Sequence, residues 1–272
     1  MFLATEGFKN IVLSSDQMNK HGHEQRKGFL QRLEFVEVKD CGDICTLFSA
    51  KLRQALKNVK SVKILSCKSL EGVFELEEED EESKEEEEMP LLSSLTRLQL
   101  SDLPELKYIW KGPTRHVSLR SLIHLNLQFV NKLTLIFPPS LDRSLPQLET
   151  LEIRYCRELK HLIGEITPES HGFPKLKTLH ISDCGKLESV FPISVYPSLL
   201  NLIRMTISYA YNLKQIFYGG EESGNLMAQS QVRPFYFSTN IFFLRNLNCR
   251  LQYIVMLFNS FFLQISKTEV ID

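Results

Sequence analysis

Residues 176–191 read Leu176-Lys177-Thr178-Leu179-His180-Ile181-Ser182-Asp183-Cys184-Gly185-Lys186-Leu187-Glu188-Ser189-Val190-Phe191. The Leu179-x-Ile181 step has the two-residue period of a strand, whose alternate side chains face one side. Around it runs a longer frame. An apolar residue is followed three and five residues later by two more. A Cys or small apolar residue comes next, then another apolar residue, then an apolar pair.

Working outward, the same frame occurs in six other places. Upstream it reads Leu33, Val36, Val38, Cys41, Ile44, Leu47, Phe48, and then Val59, Val62, Ile64, Cys67, Leu70, Val73, Phe74. It continues as Leu95, Leu98, Leu100, Leu103, Leu106, Ile109, Trp110, and as Leu122, Leu125, Leu127, Val130, Leu133, Ile136, Phe137. The copy next to residues 176–191 on that side is Leu148, Leu151, Ile153, Cys156, Leu159, Leu162, Ile163. Downstream stands Leu202, Met205, Ile207, Ala210, Leu213, Ile216, Phe217. Successive copies begin 26, 36, 27, 26, 28 and 26 residues apart. All but one interval fall in the range of leucine-rich repeats, about 20–29 residues. The long interval holds residues 75–88, with 11 acidic residues and one Lys, and reads as an insertion.

The physical expectation is an α/β leucine-rich-repeat solenoid, or horseshoe, of about seven repeats over residues 29–217. Each copy supplies a short strand whose apolar side chains are buried only when neighbours stack on it. Strands at about 4.8 Å spacing form a parallel concave sheet. Pro138, Pro139, Pro168, Pro174, Pro192 and Pro197 punctuate the return segments, so an irregular convex side with short turns or 3₁₀ pieces is expected. The first 28 residues lie off the frame and are read as an N-terminal cap or partial repeat. Residues 218–272 contain no further copy and are rich in Phe and Asn, with Phe235-Tyr236-Phe237, Phe242-Phe243 and Phe261-Phe262. They are read either as a cap over the open end of the core or as a non-homologous tail that packs poorly.

Composition narrows the function. The chain has 272 residues, 43% hydrophobic and 24% charged, with a formal net charge of -1. Outside residues 75–88 stand 31 Lys and Arg against 22 Asp and Glu, so a basic body carries one acidic segment. Dense like charge resists compaction, and that segment is expected to be a solvated loop. The six cysteines are too sparse for a disulfide scaffold. No basic-then-apolar leader is evident, which makes a reducing, cytoplasmic setting the default. The most apolar run, Leu251–Ile265, is too short and too polar for a membrane span. Nothing in the charge pattern calls for a nucleic-acid partner.

The resemblance is carried by Leu-x-x-Leu-x-Ile-x-x-Cys-x-x-Leu-x-x-Val-Phe at residues 176–191 and by Leu106-Lys107-Tyr108-Ile109-Trp110. These are similar to the C-terminal repeats of plant coiled-coil, nucleotide-binding, leucine-rich-repeat disease-resistance proteins. The resemblance spans about residues 29–217. It implies a module that senses a pathogen effector or a guarded host protein, or that restrains a nucleotide-binding domain. The chain has no Gly-x-x-x-x-Gly-Lys-Ser/Thr loop, so ATPase switching is not carried over. Two other readings stay open: an intracellular scaffold or inhibitor outside immunity, and a receptor fragment with no role of its own.

No catalytic constellation, cofactor motif or metal site is expected. Cys41, Cys67, Cys156 and Cys184 share one frame position with Leu103, Val130 and Ala210, which marks them as small buried hydrophobes. Cys41 and Cys45 beside His21 and His23 lack the second pair that a zinc site needs. The candidate surface is the concave face. Between the paired strand apolars lie Glu37, Lys63, Gln99, Asn126, Glu152, His180 and Thr206. Two columns further on, the chain leaves the sheet at Asp40, Ser66, Asp102, Phe129, Tyr155, Asp183 and Tyr209. Phe129, Arg154, Tyr155, His180 and Tyr209 combine aromatic and Arg character, the composition of interface anchors. Recognition requires the aromatic members to be exposed, whereas packing onto the next turn requires them to be buried.

Overall fold

The structure, a computed structural model, describes residues 10–14, 33–48, 56–76, 90–114, 116–138, 141, 145–164 and 172–218. Residues 77–88 of the acidic insertion and the segment from 219 onward lie outside the described residues, as do His21 and His23.

Each copy of the frame contributes one five-residue strand: β2 (Phe35–Lys39), β4 (Ser61–Leu65), β6 (Arg97–Ser101), β8 (His124–Gln128), β10 (Thr150–Arg154), β12 (Thr178–Ser182) and β14 (Arg204–Ser208). All neighbours are parallel, in the order β1-β2-β4-β6-β8-β10-β12-β14. Register is set by burial. Leu127, Ile153 and Ile181 lie side by side on consecutive strands, and all three are fully buried. A slip of one residue would turn every such side chain to solvent.

An eighth strand, β1 (Asn10–Ser14), precedes the seven and pairs with β2, placing Ile11 beside Val36 and Leu13 beside Val38. The sequence of that stretch carries part of the frame. Phe8-x-x-Ile11-x-Leu13 repeats the first half of the frame 25 residues before Leu33, but Asp16 stands where a Cys or small apolar residue is expected. Half a frame is enough for a strand.

The return segments also contain short strands: β3 (Thr46–Phe48), β5 (Gly72–Glu75), β7 (Tyr108–Lys111), β9 (Leu135–Phe137), β11 (His161–Ile163), β13 (Ser189–Pro192) and β15 (Gln215–Tyr218). They pair as β3-β5-β7, β9-β11 and β13-β15. A 3₁₀ helix, Ile193–Asn201, carries Pro197 inside it. The convex apolar pair explains this order. Phe48 stacks on Phe74 at 5.2 Å and Phe74 on Trp110 at 5.0 Å, with the rings within 9° of parallel. The Trp110 Nε1–H donates to the Ile136 carbonyl of the next repeat at 2.9 Å, so the indole is buried without losing its hydrogen bond. A Cβ on Gly72 would lie 2.0 Å from the Tyr108 ring, so any side chain there obliges that ring to move.

Candidate functional site: the concave face and its aromatic rim

Where each strand ends, the next residue takes a left-handed backbone conformation. Asp40, Ser66, Asp102, Phe129, Tyr155, Asp183 and Tyr209 have φ between 52° and 56°. The turn sends the chain from the sheet toward the convex side while the hydrogen-bond ladder continues. The Phe129 N–H donates to the Arg154 carbonyl, that of Tyr155 to Ser182, and that of Asp183 to Ser208, at 3.0, 3.0 and 3.1 Å. The Cys position closes the same corner: the thiols of Cys67 and Cys184 donate to the carbonyls of Leu65 and Ser182, each at 3.3 Å.

Asp suits this conformation because its short polar side chain tolerates it. Phe and Tyr do not, and a left-handed residue with a full side chain costs about 1–2 kcal/mol. Three of the seven corners nevertheless carry aromatic rings, and all three are exposed: Phe129 by 42%, Tyr155 by 37% and Tyr209 by 40%. The rings are not folded down onto the next turn. Phe129 and Tyr155 stack face to face with centroids 4.4 Å apart and planes 3° from parallel. Tyr209 does not reach them. It meets Tyr211, itself exposed, at 6.5 Å in an edge-to-face arrangement.

Beside the aromatic pair is a polar group on the strands. Arg154 leans toward Glu152, with Nη2 3.6 Å from Oε2, and Glu152 accepts a hydrogen bond from Asn126 Nδ2 at 2.9 Å. The Arg154 Nε–H is shielded from water and has no hydrogen-bond partner among the described residues. His180, in register with Glu152, has its pKa lowered by burial first and by the charge of Arg154 second. His124, in register with Thr150, is lowered by burial and then by Arg97. The structure thus gathers Phe129, Arg154, Tyr155 and His180 into one area and leaves Tyr209 two strands away, with Asp183 between.

Two features were absent from the sequence reading. Among the described residues, eight glutamates each pair with a lysine of the following repeat: Glu34–Lys60, Glu37–Lys63, Glu71–Lys107, Glu75–Lys111, Glu105–Lys132, Glu149–Lys177, Glu158–Lys186 and Glu188–Lys214. In every case the two residues hold the same place in adjacent copies, so the frame could have shown them. The other is Tyr211, whose exposure follows from its place just past Ala210 at the corner. Among the described residues no disulfide is formed; the four frame cysteines are buried, whereas Cys45 is exposed. Burial and the neighbouring Cys67 push the Cys41 thiol up to about 11. Cys156 is raised well above the ordinary thiol range by its hydrogen bond with Cys184 and by burial. The same hydrogen bond lowers the Cys184 thiol, and all four frame cysteines pack in the core.

A one-strand-per-repeat parallel sheet with a regular turning corner defines the leucine-rich-repeat class. More narrowly, the leucine-rich-repeat family of RPS2-like plant disease resistance proteins matches residues 7–157 and 157–211, and the chain belongs to that family. The chain is also 31% identical over 127 residues to a probable disease resistance protein of Arabidopsis thaliana, a match covering 44% of this chain. It spans only 13% of that relative's length. No solved structure matches the chain significantly. Among the described residues, no helix is long and apolar enough to cross a membrane.

Proposed function

We propose that this chain is a non-catalytic protein-recognition module of plant intracellular immunity, working in the cytoplasm. It senses a pathogen effector or a guarded host protein, or docks a nucleotide-binding domain, through Phe129, Arg154, Tyr155, His180 and Tyr209. Membership of a disease-resistance repeat family supports the defence setting. One observation carries the choice of surface: three aromatic rings stand in water at corners where their backbone is strained and where other copies place Asp or Ser. Strain of this kind persists where something besides stability maintains it.

The test is site-specific photocrosslinking. A benzoylphenylalanine replaces Phe129, and separately Lys111 on the convex side, in chain expressed in leaf tissue with and without pathogen challenge. A discrete protein adduct at position 129 that is missing at position 111 is expected. Equal labelling at the two positions would remove the rim from consideration.

A further inference from the structure

The aromatic column is interrupted at one corner by a carboxylate. Arg154 pairs in register with Ser182 and Ser182 with Ser208, so the corners that follow, Tyr155, Asp183 and Tyr209, stand in a row. Their φ values are 54°, 56° and 53°, so the three side chains leave the backbone in the same direction. Phe129 and Tyr155 are separated by 4.4 Å, close to the spacing of strands, so their rings stack along the axis of the array. One face of Tyr155 therefore rests on Phe129 and the other looks toward Asp183. From the opposite side come Tyr209 and, edge-on to it, Tyr211. Tyr211 reaches back across the sixth repeat: a Cβ on Gly185 would lie 3.8 Å from its ring.

Tyrosines therefore stand on two sides of a carboxylate in the corner row. Two strand spacings separate Tyr155 from Tyr209 by about 10 Å. A group held midway lies about 5 Å from each ring, inside the reach of about 6 Å for a cation over an aromatic face. Asp183 makes no ion pair among the described residues, unlike the eight paired glutamates. The cations nearest in sequence are engaged elsewhere, Lys186 with Glu158 and Lys177 with Glu149, and Arg154 on the neighbouring strand leans toward Glu152. An anion would face both the carboxylate and the negative ring faces. A purely apolar group would leave the carboxylate desolvated and unpaired, which is costly.

We infer that the slot formed by Tyr155, Asp183, Tyr209 and Tyr211 receives a cationic side chain, an Arg guanidinium or a Lys ammonium, from a protein partner. The inference rests on the recognition reading above and adds the chemistry of the group recognised.

The probe is a phage-displayed library of random twelve-residue peptides panned against the full chain, with enriched peptides measured by calorimetry. Enriched peptides should share one Arg or Lys. Asp183→Asn should weaken them at least tenfold, as should replacing that base by Gln, and the two losses should not add. Asn tolerates the left-handed corner, and Asp183→Ser, which installs the residue found at the equivalent Ser66, checks that the loss follows the charge. Peptides that lose binding on Tyr155→Ala yet share no base and tolerate Asp183→Asn would overturn the cation slot and leave the recognition surface standing. A library yielding no binder that is lost on Tyr155→Ala would overturn both.

Discussion

Replacing Ile153 by Ala tests whether the repeats behave as a stacked array. Ile153 is fully buried between Leu127 and Ile181. Its strand is hydrogen-bonded on both sides, so the walls of the cavity are held by two backbone ladders and have little room to collapse. Buried Ile→Ala changes cost about 2–5 kcal/mol, more where relaxation is blocked. The expected loss is therefore in the upper part of that range, about 3–5 kcal/mol. Ile207 holds the same frame position in the last described repeat, but it is half-buried and pairs with Ile181 on one side. Ile207→Ala removes less burial and disturbs one interface rather than two, so about 1 kcal/mol is expected. Urea unfolding of the full chain followed by circular dichroism gives both numbers, with the midpoint shifting further for Ile153→Ala. Equal losses for the two variants, or a loss under about 1 kcal/mol at Ile153, would refute this reasoning.

Titration and alkylation supply two further tests. In an NMR titration, the midpoints of His180 and His124 should both lie below the ordinary histidine value of 6.5. Because their folded pKa values are lowered, the unfolded chain binds protons first. Stability should fall as pH drops below about 6.5 and level off once the folded histidines are protonated. Arg154→Ala should raise the midpoint of His180 and leave that of His124 in place, since the second cause at His124 is Arg97. Iodoacetamide at pH 7.5, read site by site by mass spectrometry, should label Cys45 in the native chain well before Cys41, Cys67, Cys156 or Cys184. Fast labelling of Cys156 or Cys184 would contradict their burial.

Much of the fold was legible because an array repeats one physical problem. Leu179 and Ile181 say little alone, but the same step in seven copies fixes strands, register and buried face together. The corner column was legible for the same reason, and Phe129, Tyr155 and Tyr209 stand out only when aligned with Asp40, Ser66, Asp102 and Asp183. What the frame does not carry is backbone conformation. Nothing in the letters of Tyr155 announces a φ of 54°, since aromatic residues avoid it. The convex strands were obscured by prolines such as Pro192, which ends β13 without removing a needed donor from its interior. The Glu-to-Lys pairs run across neighbours 26 to 36 residues apart, so they are visible only once the frame is applied to charged positions as well.

Recognition through the aromatic rim is the central claim, and it is most directly tested by the affinity of the Arg154→Ala, Tyr155→Ala double variant for the protein captured by crosslinking at position 129. Truncating an interface anchor typically costs about 2 kcal/mol or more, so binding should weaken at least about thirtyfold while the circular dichroism spectrum and urea midpoint stay close to those of the parent chain. A folded double variant that binds the partner as tightly as the parent would contradict the claim.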